Sequence, residues 1–131
     1  MNIKTIYLAD DDPDDRYLIS DAIKQIDPAI TIIEAENGSD LLISIEEKQS
    51  TSAVLIVLDM NMPKMNGLET LIAIRSNPFY ATIPAVMIST SSDPRLVASA
   101  FREGINDFIA KPSSIPEFAK LADKLVSFFF K

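Results

Sequence analysis

The chain has 131 residues, 47% of them apolar and 24% charged, and a net charge of −7. That is enough apolar material for one domain with one core, and too much for a disordered chain. The acidity excludes a nucleic-acid surface, and the absence of Cys and His excludes disulfides, thiolate or imidazole metal sites, His catalysis and a phosphohistidine donor.

Apolar runs rich in β-branched residues predict strands at about 4–9, 30–35, 53–58, 84–89 and 106–110. The runs 4–9 and 54–58 lack clean alternation, as expected of strands covered on both faces. Helical patterns fill the intervals. Asp12 can cap the first helix, with Pro13 in its first turn and Asp14 and Asp15 favouring the positive end of its dipole. Leu18, Ile19, Ala22, Ile23 and Ile26 form its apolar stripe. A second helix follows Asn37-Gly38 and runs to about Lys48. Asn66 with Glu69 resembles a capping box, and Pro78 closes that third helical region. Asp93-Pro94 opens a fourth helix and Gly104 ends it. Ser114, Pro116 and Glu117 open a fifth, predicted to run from about Ile115 to the end.

This β-α order, repeated five times, predicts a parallel sheet with helices on both faces. In such sheets ligands bind beyond the carboxyl ends of the strands. Four strand ends carry polar residues suited to a phosphoryl group: Asp10-Asp11, Asp59, Thr90 and Lys111. Clustered carboxylates suit a hard dication such as Mg²⁺, which takes oxygen ligands. Asp59 is then the natural nucleophile for an aspartyl phosphate. Lys111 offers a point charge and Thr90 a hydroxyl donor. Each group alone has an ordinary reading: a turn and cap for Asp10-Asp11-Asp12, a strand-ending Asp59, a loop Thr90, a solvated Lys111. Their order at four strand ends favours a shared site.

Leu8-Ala9-Asp10-Asp11-Asp12-Pro13, the stretch from Leu58-Asp59 to Asn66-Gly67, Ser89-Thr90 and Ala110-Lys111-Pro112 resemble the receiver domain of two-component response regulators. The resemblance covers essentially all of residues 1–131, as one receiver domain with no output domain. Asp10-Asp11-Asp12-Pro13-Asp14-Asp15 and the segment from Asn77-Pro78 to Ile83-Pro84 look most like stand-alone receivers, including those paired with bacterial phytochromes. The resemblance implies a doubly wound, flavodoxin-like (βα)5 three-layer sandwich with strand order 2-1-3-4-5. It implies Asp59 as phosphoacceptor, with Asp11, Asp59 and the Asn61 backbone carbonyl on Mg²⁺ (or Mn²⁺) and Asp10 acting mainly through water. Lys111 would contact the phosphoryl group and Thr90 would move to bind it. Phe108 matches the aromatic switch position, without the hydroxyl of a Tyr. Asn61 and Ser92 match the variable positions that tune phosphoryl lifetime. The Lys111–Pro112 bond is expected to be cis.

The implied function is a phosphoryl-accepting switch, not an enzyme, fed by a sensor histidine kinase or a histidine phosphotransfer protein. Output would be non-covalent, through the fourth helix, fifth strand and fifth helix, to a partner or a second copy in a homodimer. On the last helix Phe118, Ala122, Leu125 and Phe129 share one face, with Phe128 and Phe130 at its borders. No signal-peptide pattern or apolar run of roughly 18 residues is present, so a cytoplasmic protein without membrane contact is expected. Rival readings are an aspartyl phosphatase of the haloacid-dehalogenase type, a flavodoxin-like cofactor module and a phosphorylation-independent scaffold. The first wants Asp-x-Asp, where this chain has Asp59-Met60-Asn61. The second wants a Gly- or Ser/Thr-rich loop where Asp10-Asp11-Asp12 stands.

Overall fold

The computed structural model describes residues 4–48 and 53–130. Strands β1 (Lys4–Ala9), β2 (Thr31–Ala35), β3 (Ala53–Asp59), β4 (Ala85–Ser89) and β5 (Asp107–Ala110) alternate with helices α1 (Pro13–Ile26), α2 (Gly38–Lys48), α3 (Gly67–Ser76), α4 (Pro94–Arg102) and α5 (Ile115–Ser127). All strand pairs are parallel, in the order β2-β1-β3-β4-β5. The expected doubly wound fold and strand order are both observed.

The period of two along a strand creates the layers. Ile6, Leu8, Leu55, Val57, Val86 and Ile88 pack with Ile19 and Ile23 of α1 and Phe118, Leu121 and Leu125 of α5. The alternate residues Tyr7, Ala9, Ile56, Leu58, Ala85 and Met87 pack with Leu41 and Ile45 of α2, Leu71 and Ile74 of α3 and Ala100 of α4. Two apolar layers thus enclose one sheet, which is why β1 and β3 read as continuous apolar runs. Truncating one of these buried Leu or Ile side chains to Ala costs about 2–5 kcal/mol.

Local chemistry sets the helix ends. Asp12 accepts from the Asp14 backbone N–H at 2.9 Å and opens α1. Asn66 and Glu69 close a full capping box on α3, at 2.8 and 3.0 Å. Gly104 (φ 100°) ends α4, with its N–H donating to Phe101 O and that of Ile105 to Ala100 O. This is a Schellman arrangement, whose left-handed residue favours glycine. Glu117 differs from the Asn66–Glu69 pattern: its carboxylate accepts from the Ser113 backbone N–H and hydroxyl, while Ser114 caps Glu117.

The last helix departs from expectation. α5 stops at Ser127 and tightens into a 3₁₀ turn over Phe128–Phe130. Tightening gives terminal carbonyls partners three residues on, and the Phe128 N–H reaches Leu125 O. Phe118, Ala122 and Leu125 are buried, whereas Phe128 and Phe129 are half-buried against the α1–α5 layer. The Phe130 side chain lies outside the described part of the structure.

Candidate functional site

Register brings the strand ends together. Ala9 pairs with Leu58, so Asp10 follows β1 beside Asp59, the last residue of β3. Ser89 pairs with Ala110, so Thr90 and Lys111 leave β4 and β5 side by side. The Asp10 N–H donates to Ala35 O, and that of Lys111 to Ser89 O at 2.8 Å, so the ladder extends to both residues.

Asp10 is fully buried and Asp59 nearly so, while Asp11 is exposed. Carboxylate oxygens of the three lie within 4.8 Å of one another. Lys111 supplies the counter-charge. Its Nζ stands 3.1 Å from Asp59 Oδ2, 3.1 Å from Asp10 Oδ2 and 2.9 Å from Asp15 Oδ2. Burial works against the Lys111 ammonium, but Asp15, Asp59 and Asp10 outweigh it and hold the group above its ordinary range. Asp10 is raised too, which for a carboxyl disfavours the charged form. Burial, with the Asp59 charge adding to it, outweighs the Asp12 N–H and Lys111 and raises Asp10 to about 6.

Asp10 Oδ1 accepts from the Asp12 N–H at 2.9 Å, and the Arg16 guanidinium donates to Asp10 O at 2.6 Å. Asp10 Oδ2, also buried, has no aligned hydrogen-bond donor. A buried carboxylate oxygen met by the Lys111 charge without an aligned hydrogen bond, beside two further carboxylates, fits a hard, oxygen-seeking dication. Asp59 Oδ1 accepts from the Asn61 N–H at 3.3 Å, which holds the Asn61 backbone next to the trio. The β3–α3 loop is pinned by Gly67 N–H to Met60 O and by Gly38 N–H to Met65 O.

Thr90 is exposed at the end of β4. The segment after it is drawn into turns by Ser89 Oγ accepting from Ser91 N–H and Ser91 Oγ from Asp93 N–H. Ser92 lies in this same exposed segment, and Phe108 is half-buried against the layer beneath α2, α3 and α4. One expectation is corrected: among the described residues every peptide bond is trans, Lys111–Pro112 included. The trans form of an X–Pro bond is favoured by about 0.5–1 kcal/mol. In that form the Lys111 N–H bonds β4 and Nζ still meets the carboxylates.

Two members of this arrangement escaped sequence reasoning. Asp15 is an ion-pair partner of Lys111 besides being an acid at a helix start. Arg16 bridges Asp10 O and the Glu34 carboxylate. Their partners lie on other strands, so local sequence carries no signal for either.

A five-stranded doubly wound sheet with an acidic pocket and a lysine at its switch point defines a receiver-type α/β protein. Residues 6–123 match the response regulator receiver domain, and the chain belongs to that family. It is 33% identical over 81 residues to Chemotaxis protein CheY1 of Helicobacter pylori, covering 62% of this chain and 64% of that relative, under two thirds of its length. Among solved structures it is similar to the phosphorylated cyanobacterial phytochrome response regulator RcpA, with a TM-score of 0.88 and 25% identity over 98% of this chain and 95% of the other. It is also similar to the Mn(2+)-bound form of response regulator Rcp1, a protein of Synechocystis, with a TM-score of 0.85 and 26% identity over 98% and 95%. The acidic cluster Asp10, Asp11 and Asp59 fits the phosphorylation site of such a domain.

Proposed function

We propose that this chain is the phosphoryl-accepting switch of a two-component phosphorelay, with Asp59 as acceptor. The observation that carries this reading is the meeting of Asp59 with Asp10, Asp11 and the Lys111 ammonium at one strand edge. An Asp59 carboxylate oxygen forms the new P–O bond. The P–N bond to the donor histidine breaks, and its electron pair leaves with the imidazole. Lys111 holds a phosphoryl oxygen through its charge and the Thr90 hydroxyl donates to another. The Asp10, Asp11 and Asp59 carboxylates and the Asn61 carbonyl would hold Mg²⁺ or Mn²⁺; the Mn(2+)-bound form of Rcp1 supports this. Once bound, the cation neutralises charge that builds as carboxylate meets phosphoryl group.

The chain switches and does not turn substrate over. Two residues after Asp59 stands Asn61, an amide without acid–base capacity. Phosphorylation adds up to two negative charges at the edge of the sheet. Thr90 is drawn toward them, the Ser91-Ser92-Asp93 segment and α4 follow, and Phe108 takes another rotamer. The altered α4–β5–α5 face then binds a downstream protein, or a second copy. The donor is a sensor histidine kinase or a phosphotransfer protein, and the setting is the cytoplasm. Among the described residues no helix is long and apolar enough to cross a membrane.

Incubation with Mg²⁺ and acetyl phosphate, read by intact mass, tests this. The wild type gains one phosphoryl group; without metal, or as Asp59→Ala, it gains none. Equal labelling of Asp59→Ala, or none of the wild type, overturns the reading.

A further inference from the structure

We propose that Asp15 is a positioning residue that restrains the Lys111 ammonium and thereby slows phosphoryl transfer to Asp59. The inference rests on Asp59 being the acceptor. Asp15 is not one of the three carboxylates Asp10, Asp11 and Asp59 that cluster within 4.8 Å of one another. It sits in the first turn of α1, and its Oδ2 makes the shortest contact that Lys111 Nζ has with a carboxylate, 2.9 Å against 3.1 Å to Asp10 and Asp59.

An ammonium has three N–H donors. Here three carboxylates surround one ammonium whose side chain is 11% exposed. An incoming phosphoryl oxygen therefore finds Lys111 already occupied, and one partner must yield. Asp10 is buried and Asp59 is the acceptor itself. Asp15, with its side chain 23% exposed, is the partner that solvent can take over. Asp15 also leaves one more negative charge facing an anionic phosphodonor, which opposes its approach. Both effects act in the same direction: neutralising Asp15 frees an N–H of Lys111 and lowers the repulsion.

Asp14 provides the charge-matched control. It is the adjacent acid in the same turn, it is exposed, and among the described residues it forms no ion pair with Lys111. The experiment follows phosphorylation by acetyl phosphate in saturating Mg²⁺ by intact mass over time. It compares wild type, Asp15→Asn, Asp15→Ala, Asp15→Glu and Asp14→Asn, with thermal melts and Mg²⁺ titrations of each. Asp15→Asn and Asp15→Ala are expected to label roughly three- to tenfold faster than wild type. Asp14→Asn stays within about twofold, and Asp15→Glu, which keeps the charge, stays near wild type. A purely structural role would slow labelling and lower the melting temperature. Asp15 variants that label no faster than Asp14→Asn overturn the proposal. Failure of the wild type itself to label at Asp59 would instead overturn the acceptor reading.

Discussion

Asp10 carries a charge that the metal-free fold does not favour. Burial and the nearby Asp59 raise its carboxyl from an ordinary 3.8 to about 6. The native state therefore binds a proton more tightly than the unfolded chain between those values. By linkage, this contribution to stability is fully present below the lower value and is lost as pH rises through about 6. Asp10→Asn removes the titration while keeping an acceptor for the Asp12 N–H. In the presence of a chelator the variant should gain on wild type as pH rises from 5 to 7, by about 1 kcal/mol over that interval. Added Mg²⁺ should stabilise the wild type and do little for the variant, because only the ionised carboxylate rewards the cation. Denaturant melts at several pH values measure this; a difference independent of pH refutes it.

At the scale of elements, the strand ends are aimed by the turns that follow them. The β3–α3 connection has little room. A Cβ on Gly67 would meet Asp59 O at 2.5 Å, Met87 Sδ at 2.7 Å and Met60 Cα at 2.9 Å. Two of these are backbone atoms next to the proposed acceptor, and neither can move without moving Asp59. Gly67→Ala should cost about 2–3 kcal/mol through overpacking. It should also slow labelling at Asp59 by roughly tenfold, since a small displacement of a reacting group is expensive. A urea melt and the labelling time course check both, and an unchanged midpoint would show that the loop has slack. The glycine in Met65-Asn66-Gly67 was legible as part of a family motif, but its steric reason was not. That reason is the approach of α3 to β3, which only packing creates.

Across the whole molecule, the two ends of the β4–α4–β5 unit are held differently. At the end remote from the site, Arg75 of α3 donates to Ile83 O at 2.7 Å, Gly104 O at 3.1 Å and Asn106 Oδ1 at 3.2 Å. Asn106 Oδ1 also accepts from the Ala85 N–H, so the starts of β4 and β5 are stapled together. At the site end, Thr90 is exposed and the following segment is held by short serine turns. A beryllofluoride mimic with Mg²⁺ should therefore shift NMR resonances most over 88–95 and 108–111, and least over 83–85 and 104–106. Uniform shifts, or none from 90 to 110, would count against a switch anchored at one end.

What could be known from the chain alone was the arrangement that local forces dictate. Apolar runs, caps at Asp12, Asn66, Asp93 and Ser114, and the Gly104 stop locate the strands and the helix starts to within a residue or so, whereas the end of the last helix falls short of its expected place. Four polar residues at strand ends, on a parallel sheet, then indicate one site at one edge. Long-range packing decided the rest. The ion pair between Asp15 and Lys111 and the Arg16 bridge to the Glu34 carboxylate depend on elements brought together only by the fold. The division has a physical cause: hydrogen bonds within a turn involve near neighbours and leave a sequence trace, whereas a buried charge chooses its partner from whatever the closed sheet sets beside it.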